Sequence, residues 1–149
     1  MNDKTLKRKV NILAKNVGAK INWRKSLKNF QFLLQYDGQY ITGDNFSNII
    51  HDIAHFEIAD KTARSLPDFG LGESPDSYDA DSLCKKIYSD KICDDIERKA
   101  SALGIYWEKE LGLDWEYTLD YHGWESEEEL FTCLSKLKTS SKNRFKKNK

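Results

Sequence analysis

Leu6, Val10, Leu13, Ala14 and Val17 recur at three- and four-residue intervals with Gly18 behind them, a spacing that predicts an amphipathic helix over residues 4–17. The pattern then changes. Phe30-Gln31-Phe32-Leu33-Leu34-Gln35-Tyr36 is rich in strand formers, Asp37-Gly38 supplies a turn, and Gln39-Tyr40-Ile41-Thr42 follows as a second short strand, so an antiparallel hairpin is expected. Helical spacing returns at Phe46, Ile49, Ile50, Ile53 and Ala54, with Asp44 or Asn45 in place to cap. Both prolines fall between 67 and 75, which predicts a loop whose Phe69 and Leu71 fold back as a lid or wall, and the acidic run Asp76 to Asp81 continues it. Residues 82–88 and 94–111 read as helix, the second with Ile96, Ala100, Leu103 and Trp107 on one face and Gly112 as its stop. Leu113 to Trp124 alternates in part and reads as strand or irregular, its aromatics forming core and wall. Ser126-Glu127-Glu128-Glu129 fits a capping box before a last helix to about Lys138, and the final eleven residues are expected to fray.

These elements predict one α+β domain, mainly helical with a small antiparallel sheet. A basic helix and connection (1–28) pack on a body (29–138) that ends in a flexible basic tail (139–149). No apolar run approaches the ~20 residues of a membrane span, no signal-peptide core follows the start, and the odd set Cys84, Cys93 and Cys133 contains no CxxC pair. A cytoplasmic protein with reduced thiols is the expectation. The formal charge of zero hides a segregation: residues 1–28 carry nine Lys/Arg against Asp3, residues 136–149 carry seven and no acid, and 29–135 holds eight basic against 23 acidic residues. Basic ends of this kind can touch nucleic acid, a ribosome or an acidic partner, or act as solvated tails that steer by charge without defining a site.

The chemistry centres on Asn48-Ile49-Ile50-His51-Asp52-Ile53-Ala54-His55-Phe56. Two of the three histidines stand four apart, about one helical turn, so both imidazoles leave one side and can close on one ion. A catalytic metal needs at least one more protein ligand. Glu97, on a second helix that must pack on the body, is the first choice and Glu108 the second, while the loop setting of Asp76 and Asp79 weakens them. The pattern is that of a zincin-like HExxH metal helix with Asp52 where the motif has Glu. A general base shortened by one methylene argues against peptidase chemistry, and Asp52 is expected to orient a ligand or handle a proton. Two histidines and one carboxylate with open positions suit non-haem Fe(II) oxygen chemistry; a zinc-dependent hydrolase and a metal-free interaction module are the alternatives. Arg64 is expected to bind a substrate carboxylate or pair with an acid, and His122 is read as outside the ligand set.

The run Thr42 to Phe56, followed by Ala59, Arg64 and Asp68-Phe69-Gly70, resembles the core of the bacterial elongation factor P hydroxylases, in which the HExxH helix has Trp after its second His. Ile96-Glu97-Arg98-Lys99-Ala100-Ser101-Ala102-Leu103 is similar to the segment that supplies that family's metal-binding glutamate. The resemblance spans roughly residues 40–107. It implies a compact α+β fold, a metal held by His51, His55 and Glu97, and oxygen-dependent hydroxylation of a protein side chain, with a translation factor as the expected partner; Arg64 and Phe69 are the residues expected at the substrate. Asp52 for Glu and Phe56 for Trp are departures from the family's pattern.

Overall fold

In a computed structural model that describes residues 2–24, 36–71 and 86–146, helix α1 (Asp3–Val17) begins where the Asn2 side chain accepts the Thr5 N–H at 2.8 Å. It ends at Gly18, whose φ of +96° closes the last turn. Its buried stripe is Val10, Leu13, Ala14 and Val17, as the periodicity predicts. Strand β1 (Ile21–Trp23) pairs with β2 (Ile41–Gly43) in register Ile21 to Ile41, and the pairing is parallel. This corrects the expected antiparallel sheet. The Asp37-Gly38 turn forms, with Asp37 Oδ1 accepting the Gln39 and Tyr40 N–H groups, but it supports one antiparallel bridge, Tyr36 to Ile41. The rest of the expected first strand, residues 30–35, lies outside the described residues. The partner of β2 comes instead from the chain leaving α1, through Ile41 N–H to Lys20 O at 2.8 Å. No local turn signal encodes a pairing of that range.

Helix α2 (Phe46–Ile58) is capped by Asn45, whose side chain accepts the Asn48 N–H at 3.0 Å. One turn, α3 (Lys61–Arg64), follows under an Asp60 cap, and Pro67–Gly70 forms a 3-10 turn. The expected loop and acidic run from 72 to 81, and residues 82–85 of the expected helix, lie outside the described residues; Lys86 to Tyr88 are not helical. Helix α4 (Asp90–Leu111) starts four residues before the expected point, capped by Ser89, and stops at Gly112 with φ +86°. It is the centre of the molecule. Ala100, Leu103, Trp107 and Leu111 belong to a core shared with α1, α2 and Tyr36, while Ala102 and Ile105 belong to a second core with Trp124, Leu130 and Leu134. The sequence shows one apolar face where the fold uses two, because Ala102 and Ile105 are buried by elements far along the chain.

Helix α5 (Trp115–Tyr121) replaces the expected strand or irregular stretch. Asp114 caps it, Trp115 and Leu119 pack on the second core four residues apart, and Tyr117 and Tyr121 stack on each other in solvent. Helical spacing of four outweighs β-propensity once both ends are capped. Helix α6 (Glu127–Leu134) has its Ser126 cap on the Glu129 N–H, while the Glu129 carboxylate reaches the Glu125 N–H. The expected fraying from 139 is corrected up to residue 146: α7 (Thr139–Lys142) and a 3-10 turn (Asn143–Phe145) dock on the body. The Asn16 side chain donates to the Arg144 and Lys146 carbonyls, Trp107 Nε1 donates to Lys142 O, and Arg144 pairs with Glu57 at 2.8 Å. Among the described residues no helix is long and apolar enough to cross a membrane.

Helices α2 and α4 meet at Gly104, where a Cβ would lie 3.5 Å from His51 Cα and 3.8 Å from Ala54 Cβ. Those are ordinary contacts, so Gly104→Ala is expected to stabilise the fold by about 0.5–1 kcal/mol through helix propensity. Gly104→Val, whose methyls project further into α2, is expected to destabilise by about 1–3 kcal/mol. Paired urea melts check both signs.

Candidate metal centre

His51 and His55 leave α2 on one side because they are four residues apart, and Glu97 reaches them from α4 across the Gly104 contact. His51 Nε2 and His55 Nε2 lie 3.2 Å apart. The Glu97 oxygens are 3.1 Å from His55 Nε2 and 3.5 Å from His51 Nε2. A metal with ligand atoms at about 2.1 Å separates neighbouring ligands by roughly 3.0 Å at a right angle and 3.4 Å at the tetrahedral angle. The observed spacings match those edges. The donor set also fits: two imidazole nitrogens face each other beside a carboxylate, and a cation between them satisfies all three at once. Burial opposes the charge on Glu97, but the hydrogen bonds and charge of His51 and His55 hold its carboxyl well below the usual carboxylate range.

The far nitrogens of both rings, His51 Nδ1 and His55 Nδ1, are buried and have no hydrogen-bond partner among the described residues. Metal-bound histidines usually donate that N–H to a carboxylate or carbonyl; here ring packing performs the orienting. Phe69 stacks on His55 (5.4 Å between centroids, 15°) and Tyr36 stacks on Phe69 (4.0 Å, 4°). His51 is held edge-on between His55 and His122, at 4.7 and 5.2 Å. The turn that delivers Phe69 is strained: Asp68 and Phe69 both have positive φ, +50° and +55°, which costs about 1–3 kcal/mol per residue. Asp68 N–H on Tyr36 O at 2.9 Å and Ile87 N–H on Gly70 O at 2.8 Å hold it in place. Tyr36 itself is buried, and burial followed by the nearby Asp37 pushes its phenol up to about 12.

His51, Asp94, Glu97, Arg98, Ser101, His122 and Trp124 line a cavity of about 300 Å³ on the open side of the triangle. His51 and Glu97 are partly exposed there while His55 is sealed behind them. His122, which the sequence reading places outside the ligand set, lines this cavity. The end of α5 carries it to the cavity, where its Nδ1 is 2.6 Å from Ser101 Oγ, which also accepts Trp124 Nε1–H at 2.9 Å. Burial, then the adjacent His51, push its imidazole below the ordinary value, toward the neutral form. The one signal for His122 in the sequence is that the chain has three histidines and all three gather here.

The other expected site residues fall elsewhere. Asp52 is buried, is not among the residues lining the cavity, and orients neither imidazole through Nδ1. Its step of 100° around α2 from His51 turns it away. Arg64 does not reach the triangle: its Nε donates to Phe56 O at 2.8 Å at the C-terminus of α2, and its guanidinium lies over the Phe56 ring. Phe69 is buried behind His55, where it forms a wall, and it is not among the residues lining the cavity. Asp76 and Asp79 lie outside the described residues. Glu108 is spent in its own buried cluster, accepting from Ser47 Oγ at 2.7 Å and Thr118 Oγ1 at 3.0 Å.

Burial raises the Glu108 pKa above its unfolded value, with the two hydroxyls opposing. The native state therefore binds the proton more tightly than the unfolded chain, and this group's contribution to stability falls as pH rises through the range just above the ordinary glutamate value. Glu108→Gln keeps an acceptor for Ser47 and Thr118 and lacks that loss. Its denaturation midpoint relative to the parent is expected to be more favourable at pH 8 than at pH 5.

No family model matches the chain, and neither the curated proteins nor the solved structures contain a significant match to it.

Proposed function

We propose that this chain is a metal-dependent oxygenase that holds Fe(II) through His51, His55 and Glu97 and hydroxylates a protein side chain. The observation that carries the reading is the convergence of two Nε2 atoms and one carboxylate at 3.1 to 3.5 Å, with the remaining side open to the cavity. Two histidines and one carboxylate with open positions is the ligand set of non-haem Fe(II) oxygenases, and the bound ion supplies the redox chemistry that activates O₂. The position of Asp52 favours this over a zinc hydrolase, which would need a base beside the metal-bound water. Three converging donor groups, two imidazoles and a carboxylate, favour a metal over an interaction module without one.

The residues of the chain divide the remaining work. Trp124 and Arg98, whose guanidinium lies 3.9 Å from the indole ring and pairs with Glu129, form the wall that limits water. His122 is anchored through Nδ1, which leaves Nε2 as its ring nitrogen for a substrate donor or acceptor. A protein side chain as substrate is what the resemblance to elongation factor P hydroxylases implies. Protein purified without an affinity tag and reconstituted anaerobically tests the reading. Iron content with O₂ uptake that disappears in His51→Ala is the expected result; zinc content with hydrolytic activity that persists without oxygen overturns it.

A further inference from the structure

We infer that the two basic ends of the chain form one surface that binds single-stranded nucleic acid. Residues 2–24 carry seven Lys/Arg against Asp3, and residues 136–146 carry five and no acid. The fold joins them: the Asn16 side chain at the end of α1 donates to Arg144 O at 2.7 Å and Lys146 O at 2.9 Å. Lys4, Lys7, Arg8 and Lys15 line a shallow groove of about 400 Å³ along α1, which extends roughly 16 Å from Lys4 to Lys15. Arg64, Lys99, Lys136, Lys138 and Arg144 surround a second depression of about 370 Å³ with Glu57 as its one carboxylate. Arg144 takes Glu57 and Asp95 takes Lys99, so three of those five cations keep their charge uncompensated among the described residues. Lys136 and Lys138 make no ion pair there.

Like charges gathered on one surface repel one another and destabilise the fold, and a polyanion relieves that repulsion. Three observations select nucleic acid among polyanions. The apolar stripe of α1 is buried, so the helix has no face left to insert into a lipid surface. Aromatic rings interleave with the cations: Lys7 lies 5.0 Å over Trp23, and Lys20 lies 5.9 Å from the ring of Tyr40, which is 37 % exposed. A basic track with aromatic faces is the arrangement that holds phosphates and stacks bases of a single strand. The track is also long enough for several successive phosphates, which a single acidic side chain on a protein partner does not need.

Fluorescence anisotropy with a labelled single-stranded RNA 12-mer, and with DNA of the same sequence, tests this. Either strand is expected to bind at 50 mM salt and to lose about a hundredfold in affinity by 200 mM, the loss for roughly five neutralised phosphates. Lys4→Glu/Arg8→Glu/Lys15→Glu and Lys136→Glu/Lys138→Glu should each weaken binding at least tenfold, with metal content and helical circular dichroism unchanged. Absence of binding at 50 mM salt overturns the proposal, as does binding that survives both sets of substitutions. Low-salt self-association or capture by anionic vesicles in place of strand binding also overturns it. These readouts are independent of the metal centre, so either reading can fail alone.

Discussion

Alanine at both His51 and His55 is expected to abolish divalent metal binding. The two Nε2 atoms are two of the three candidate ligands, and Glu97 alone is a single partly exposed carboxylate. Loss of an outer partner of a metal ligand already costs about 10–100-fold in affinity, so each single alanine should exceed that. A ligand that binds only the native state at 100 times its Kd stabilises by about 2.7 kcal/mol. The unmutated protein should therefore show a Tm that rises by several degrees with added metal, and the double variant a Tm that does not move. Equal metal content by mass spectrometry in parent and variant would sink the centre. His122→Ala is the internal control, since its Nδ1 is committed to Ser101 and its place is the cavity wall; it should keep the metal. The metal-free double variant also loses the Nε2 contacts of both rings with Glu97, at 3.5 and 3.1 Å, so its Tm without metal is the baseline against which the effect of added metal is read.

Trp107→Ala should give the largest loss of stability. Trp107 is fully buried in the main core, and its Nε1–H is the bond that fixes α7 through Lys142 O at 3.1 Å. Emptying a site of that size costs about 3–5 kcal/mol. For a chain of this length that lowers Tm by roughly 10 °C. Trp107→Phe separates packing from the hydrogen bond and should lose less than half as much. Since Trp107 lies three turns along α4 from Glu97, the variant that remains folded should still bind metal. Proteolysis after Lys138 should accelerate in Trp107→Ala, as the segment from Thr139 to Phe145 loses its anchor on α4. A segment cleaved at the same rate in both proteins would show that Asn16 and Glu57 hold it unaided.

The local elements were legible where one physical signal acts within a few residues. Asn2, Asn45, Ser89 and Ser126 cap the helices they precede, and Gly18 and Gly112 end theirs with positive φ. A four-residue interval likewise determines that His51 and His55 share a side of α2, whatever the rest of the chain does. Glu97 stands out in the sequence by its place on a helix whose apolar face must pack on the body. Its distance to the imidazoles follows from the contact at Gly104, and nothing in the helical pattern states that contact.

Local sequence sets the helix ends, the faces of α1 and α2, the shared side of His51 and His55, and the segregation of charge. Those depend on interactions between near neighbours. Long-range packing sets the parallel pairing of β2 with β1, the helical form of α5, the docking of residues 139–145, the bond of Arg64 to the end of α2 and the stacking of Phe69 on His55. It also brings His122 to the cavity and joins the end of α1 to residues 144–146 through Asn16. In each case the partner lies far along the chain, and closing such a contact depends on the packing of α4 between two cores, which no window of local sequence contains.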